Sequence, residues 1–314
     1  MKKPFDSDEP MTPDTIASEF ETIVREDGPW SCAAFEVAPG LWTSPRNPWN
    51  WLRAKFALEN ACLMLGKAPK QLRVLDLGCL EGQIAIDMAR MGCTAVGLEY
   101  RRASVRKAEF AARALNVANV TFVQGDMLQV ASLNLGTFDV VLAFGVLYHV
   151  DAPDLLPFIK SINQVCTGLA IFDTHVSLET LERYVDPTGL QLTGRSIVEH
   201  VAGDDKEAKS WAAAESDFAF WMTERSLSNL LISGGLGPVN RSLAPVPEWK
   251  WQDRGYWIAY ASSFRTKRVP RTNPHMTRLL ADPDPRQAEC DLIRTPYQRR
   301  VKNPVTKPTQ TTAA

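Results

Sequence analysis

The stretch Val74-Leu75-Asp76-Leu77-Gly78-Cys79-Leu80-Glu81-Gly82 decides the fold. An apolar run from Leu72 to Leu77 delivers the chain to two glycines, and behind them Ile84, Met88 and Met91 mark a helical stripe that stops at Gly92. Strand, glycine turn and helix in that order open an open-sheet α/β domain, and such sheets bind ligands at the carboxyl ends of their strands. Glycine there lets a ligand approach the backbone. A phosphate-binding turn would lack the carboxylate, because Asp76 would repel a pyrophosphate, and no G-x-G-x-x-G is present. The turn therefore excludes a nicotinamide dehydrogenase and suits a cationic or hydroxyl-bearing ligand.

The alternation continues downstream. Thr94 to Leu98 is a second strand, followed by Val105, Ala108, Ala112 and Leu115 at helical spacing; Val120 to Val123 is a third. Phe138 to Phe144 is nearly all apolar, as a central parallel strand covered on both faces must be. A helix from about Asp154 to Val165 and a fifth strand, Leu169 to Phe172, extend the series. Such a pattern predicts the α/β class with a doubly wound, mainly parallel sheet. Residues 176–221 are mixed and polar, too long for an ordinary connection, and are predicted to form an insert or lid over the acceptor site. A helix from about Thr223 to Ile232 and the runs Pro238 to Leu243 and Tyr256 to Ser262 then close a seven-stranded sheet with an antiparallel pair. Upstream, Asn50 to Leu65 reads as an amphipathic helix against the sheet. The organisation expected is an N-terminal helical extension over 1–49, partly disordered, a ligand-binding core over 50–175, the insert, a closing segment over 222–264, and a tail over 265–314.

That tail holds seven prolines and eleven Lys/Arg against four acids, and reads as a solvated, disordered segment. Over the whole chain, Lys+Arg 35 against Asp+Glu 36 gives a net charge of -1 and no global attraction to nucleic acid or to an anionic membrane. No run approaches the roughly 18 apolar residues of a membrane span, and Met1 to Pro10 is unlike a secretory signal. The six cysteines are scattered without a C-x-x-C pair, so a reducing cytoplasm and no metal are expected.

Residues 72 to 150 resemble the cofactor-binding half of the class I S-adenosylmethionine-dependent methyltransferases, whose first motif reads hydrophobic-hydrophobic-Asp-x-Gly-x-Gly-x-Gly. Asp76, Gly78 and Gly82 match it, and Leu80 stands where the middle glycine would be. The resemblance implies a Rossmann-like methyltransferase fold and S-adenosyl-L-methionine as cofactor. It makes Glu99, at the end of the second strand, the carboxylate that holds both ribose hydroxyls. Asp126 becomes the acceptor of the adenine amino hydrogens, with Met127 covering the ring, and Phe144 and its following turn line the methionine end. Taken singly, each is as readily a turn residue or a solvated strand end; together they fall at successive strand tips, where one ligand touches them all. Gly145 to His149 is also similar to the corresponding turn of the tRNA wobble-uridine carboxymethyltransferases and of bacterial small-molecule methyltransferases.

If the acceptor is a hydroxyl, a base must take its proton, and neutral imidazole, with a pKa of about 6.5, suits that task. His149 is the catalytic candidate, against a structural role in capping the next helix. Tyr148, His175 and Trp221 are substrate-site candidates. Trp30, Trp42, Trp49, Trp51 and Trp211 could join Trp221 in walling the acceptor pocket, while Trp249, Trp251 and Trp257 are assigned to packing. The leading function is methyl transfer to a small-molecule acceptor, an oxygen of a sugar or secondary metabolite. One alternative is tRNA or RNA modification, favoured by the 145–149 turn and the basic tail and opposed by the neutral charge. The other is a non-catalytic cofactor-binding subunit, which fold alone does not exclude.

Overall fold

The computed structural model describes residues 10–45, 48–207, 209, 211–242 and 253–264. The basic tail, Trp249 and Trp251 lie outside them. The N-terminal extension carries α1 (Pro13–Asp27), started by Thr12 whose hydroxyl accepts the Thr15 N–H, and a short hairpin of β1 (Glu36–Ala38) and β2 (Leu41–Trp42). Then come α2 (Pro48–Leu65), β3 (Arg73–Leu77), α3 (Gln83–Arg90), β4 (Thr94–Glu99), α4 (Arg102–Ala114), β5 (Val120–Gln124), β6 (Phe138–Phe144), α5 (Ala152–Val165) and β7 (Cys166–His175). The insert supplies β8 (Glu182–Val185), β9 (Gln191–Val198) and β10 (Phe218–Met222), and α6 (Glu224–Ser233), β11 (Leu236–Ser242) and β12 (Arg254–Ala261) complete the chain.

The main sheet has seven strands in the order β11-β12-β7-β6-β3-β4-β5. β7, β6, β3, β4 and β5 run parallel and the last two strands antiparallel, as a doubly wound sheet with a closing pair requires. Alternate side chains serve two cores: Val74, Val140 and Ile171 pack on the side of α2, α3 and α4, whereas Leu75, Val141 and Phe172 pack on the side of α5 and α6. The fifth parallel strand is longer than the apolar run that announced it. Backbone pairing with β12 continues from Leu169–Tyr260 to His175–Arg254, so His175 lies on the strand and not beyond it.

Residues 177–222 hold a three-stranded antiparallel sheet in the order β10-β9-β8. Strand pairing was not foreseen there because the segment mixes polar and apolar residues without a sustained period of two.

The turn between β3 and α3 explains its glycines. Gly82, at φ +81°, starts α3, and a Cβ there would lie 2.7 Å from the Phe122 ring and 2.8 Å from the Ala108 methyl. Gly78, at φ +62°, would put a Cβ 2.5 Å from Val146 Cγ1. Only glycine satisfies both the dihedral and the space at these positions. Leu80 takes φ +47° without that freedom, so the middle of the turn keeps a glycine-like shape at a cost of order 1 kcal/mol.

Candidate active site

A cavity of about 320 Å³ opens at the carboxyl ends of the parallel strands, where the strand order reverses between β3 and β6. Gly78, Leu80, Glu99, Asp126, Met127 and Phe144 form one wall; Tyr148, His149, Arg53 and Arg254 form another; residues 211–216 of the insert cover it.

Glu99 is built into its wall by the backbone. Its Oε2 accepts the Leu80 N–H at 3.0 Å and its Oε1 the Arg101 N–H at 2.9 Å, so the strand tip and the glycine turn share one carboxylate. Burial raises its pKa, and these N–H donors oppose the rise. Leu80 thus keeps the backbone donor that a glycine would have supplied. Asp126 caps the turn after β5 by accepting the Leu128 N–H at 2.8 Å, and burial raises its pKa as well. Around these acids Leu80, Leu98, Met127 and Leu128 are apolar, a slot that suits a flat ring with polar edges.

Asp76 does not line this cavity. It follows Val74 on the α2/α3 face of β3, only 3% of it is exposed, and burial pushes its pKa up to about 7 against the pull of the Arg53 guanidinium. It lies one residue inside the end of β3, beneath the turn, and Gly78 beyond the strand tip forms the wall in its place. Gly82 is likewise outside the wall, spent on starting α3. The two remaining candidates behind the wall are His175 and Trp221, which stack on each other at 4.9 Å, with Tyr148 edge-on to His175 at 4.9 Å. Burial lowers the His175 pKa, and Arg254 adds to the effect. Trp211 reaches the cavity, but Trp30 stacks on Phe20 in the core, Trp42 and Trp51 are not part of the wall, and the Trp49 side chain lies outside the described residues. Trp257 is fully buried in packing.

His149 stands on the cavity wall with its Nδ1 2.8 Å from Glu199 Oε1. Glu199 follows β9 in the insert, fifty residues away in sequence, and its second oxygen accepts the Ala213 N–H at 3.1 Å. Burial would raise the Glu199 pKa, but the bond to His149 and its charge outweigh that and lower it. A carboxylate on Nδ1 puts the neutral ring's proton there and leaves Nε2 as the accepting nitrogen. Next to this pair lies a second buried group: Asp173 Oδ2 meets Arg53 Nη2 at 2.5 Å, and Arg254 spans both Asp173 oxygens at 2.6 and 3.1 Å. Two guanidiniums on one carboxylate keep Asp173 below the usual range despite burial, and leave one positive charge in excess over that pair.

Arg53, Asp173, Arg254, Glu199 and Arg101 were missed because each acts through a partner remote in the chain. One signal was readable: Asp173 follows the apolar run Leu169 to Phe172 directly, as Glu99 follows that of the second strand.

This fold and cavity place the molecule among proteins with a ligand site at the reversal point of an open α/β sheet, and the family follows from comparison. A family model described as a methyltransferase domain matches residues 69–257 of the 314, and the chain belongs to that family. The ubiquinone biosynthesis O-methyltransferase of Vibrio parahaemolyticus is 34% identical over 141 residues, 45% of this chain and 55% of that one. The Vibrio cholerae protein of the same name (strain M66-2) is 35% identical over 176 residues, 54% of this chain and 67% of its own. The chain spans about half the length of the curated relatives it matches first. Among solved structures, the N-terminal domain of EvdMO1, crystallised in the presence of SAH and D-fucose, superposes with a TM-score of 0.63 at 23% identity, over 81% of this chain and 99% of that one. No described helix is long and apolar enough to cross a membrane.

Proposed function

We propose that this chain moves a methyl group from S-adenosylmethionine to a hydroxyl oxygen of a small molecule, a sugar or other secondary metabolite, in the cytoplasm. The observation that carries the reading is that one cavity is bounded by the strand-tip carboxylates Glu99 and Asp126 on one side and by the His149–Glu199 pair on the other. The curated relatives named as O-methyltransferases support oxygen as the acceptor atom.

The residues present fit the cofactor. Gly78 brings bare backbone to the cavity wall, the apolar slot beside Asp126 accepts an adenine, and Glu99 accepts hydrogen bonds from a ribose diol. Arg53, beside Phe144 and carrying positive charge, suits the carboxylate of the amino-acid end. Asp76 acts from behind the turn as a buried neighbour of Arg53 and not as a contact. When bound, the cofactor supplies an electrophilic methyl group on a sulfonium. The protein then has to hold the acceptor oxygen in line, exclude water and take up one proton. His149 Nε2 receives the acceptor's hydroxyl proton, and Glu199 steadies the imidazolium so formed. Tyr148, its hydroxyl group raised in pKa by burial, stays a neutral donor that orients the acceptor. Residues 211–216 close off the mouth and leave room for a small acceptor; that cover and the net charge of -1 weigh against a nucleic-acid substrate.

The test is titration calorimetry with S-adenosylhomocysteine and with NAD, followed by incubation with isotopically labelled S-adenosylmethionine and fractionated cell extract. Tight binding of the first nucleoside alone, with label in a small-molecule fraction, is the expected result. Label in RNA would replace the acceptor class, and binding without any label transfer would establish the non-catalytic reading.

A further inference from the structure

The wall that holds the cofactor and the wall that holds the base are joined through the cover. Arg101 follows Glu99 by two residues and is only 6% exposed. Its Nη2 donates to the carbonyls of Lys206, Lys209 and Ala212 at 3.1, 3.0 and 3.2 Å, while its own N–H is fixed on Glu99 Oε1 at 2.9 Å. One peptide further on, the Ala213 N–H goes to Glu199 Oε2 at 3.1 Å and its carbonyl meets His200 Nε2 at 2.6 Å. Glu199 Oε1 is the atom that holds His149 Nδ1. An unbroken run of short polar contacts therefore leads from Glu99 through Arg101, Ala212 and Ala213 to Glu199 and His149.

We propose that Arg101 is a positioning residue that couples occupancy of the cofactor site to the state of His149. The proposal rests on the cofactor reading above and deepens it. A diol accepted by Glu99 stiffens the 99–101 tip; Arg101 passes that order to Lys206, Lys209 and Ala212; and Ala213 then seats Glu199 so that it holds the His149 proton on Nδ1. A buried guanidinium serving three carbonyls suits this task, because its directed donors fix the cover in one arrangement where a hydrated point charge would not. Without the cofactor the cover is held more loosely and the base is set less sharply, so the proton acceptor is made ready only when a methyl donor is in place.

The experiment compares wild type, Arg101→Met and Arg101→Lys, with S-adenosylhomocysteine as the probe. Lys206 and Lys209 are trypsin sites within the Arg101 contacts, and the chain has only four histidines, so ¹⁵N spectra of the imidazoles resolve His149. Saturating probe is expected to slow cleavage at these lysines ~10-fold in wild type and less than ~2-fold in Arg101→Met. In spectra recorded above the ordinary imidazole pKa of about 6.5, saturated wild type shows His149 as the Nδ1–H tautomer. Arg101→Met shows a mixture under the same saturation, and Arg101→Lys recovers part of both effects. If Met proves too destabilising to give a folded protein, Arg101→Gln carries the same comparison. Equal protection and equal tautomer in the Met or Gln variant, with the probe bound, would overturn the coupling while leaving the cofactor reading intact. Failure of wild type to bind the probe in calorimetry would overturn both.

Discussion

The glycine turn contributes a wall of the cavity and the insert its cover, and they are built in opposite ways. The turn region is local. Its acceptor Glu99 lies nineteen residues from the Leu80 N–H it binds, and all its parts fall on neighbouring parallel strands. The insert is held by pairs fifty or more residues apart, His149 with Glu199 and Arg101 with Ala212. A region specified by adjacent strand tips binds through the fold itself, whereas a region specified by distant pairs is assembled only once the rest is in place. Mutation within the insert should therefore cost proton transfer far more than binding, apart from the contacts of Arg101 that join the two.

The largest effect that sharpens this contrast is at Glu199. Replacing it by Ala removes the acceptor from His149 Nδ1 and leaves the ring free to take the other tautomer, so turnover is expected to fall by about 10²- to 10³-fold. Affinity for S-adenosylhomocysteine, set on the far wall, should stay within about 3-fold. Parallel loss of both quantities in single-turnover kinetics and calorimetry would mean that the two walls are one energetic unit.

Asp76 provides the next largest effect. Its folded pKa of about 7 lies above the ordinary carboxylate value near 3.8. The folded state therefore binds the proton more tightly than the unfolded chain, and the stability this confers is complete below about pH 4. It is lost as pH rises through about 7, with a ceiling of about 4 kcal/mol. Asp76→Asn does not titrate, so its melting temperature relative to wild type should climb between pH 4 and 7 and level off above. Because Asp76 sits behind the wall, cofactor affinity should change by less than about 3-fold; a loss of tenfold or more would return its carboxylate to direct contact.

How far the site was legible follows the same division. Gly78, Glu99, Asp126, Met127 and Phe144 were readable because an apolar run followed by an acid or glycine places a group at a strand tip by backbone geometry alone. Position along the strand was not so readable: Asp76 and Glu99 are equally buried acids on the same face of the sheet, yet Glu99 is the last residue of β4 and reaches the cavity, whereas Asp76 lies one residue inside β3, under the glycine turn. Arg53 looked like one cation of an amphipathic helix, since nothing near it announces Asp173 or Arg254. Glu199 and Arg101 had no local mark at all, because a polar insert of mixed pattern gives no period from which partners can be inferred. Glu81 belongs with them; its carboxylate takes the N–H groups of Ser31, Cys32 and Ala33 at 2.6, 3.0 and 3.1 Å and ties the extension to the turn.

Glu99→Gln tests the local wall with a smaller expected change. The amide keeps one acceptor but offers an NH₂ to either the Leu80 or the Arg101 N–H, so one of two donors is left facing another donor. Affinity for S-adenosylhomocysteine should fall by about 10- to 100-fold, the range for losing a charge-assisted bond. The protein should remain folded, since the strand pairing of β4 does not involve the side chain.

The smallest effect belongs to Leu80, the one departure from the glycine pattern. Its φ of +47° costs of order 1 kcal/mol, which Leu80→Gly would relieve; the greater freedom of glycine in the unfolded chain costs about the same. The two nearly cancel, and the melting temperature should move by no more than about 2 °C. The side chain lines the cavity, so its removal should weaken cofactor binding by at most about 5-fold through lost apolar contact. Because the Leu80 N–H already reaches Glu99 Oε2, a glycine has no backbone donor left to add. Tighter binding by Leu80→Gly, tenfold or more in calorimetry, would show instead that the leucine obstructs the ribose, and that the turn shaped by local rules works against its own ligand.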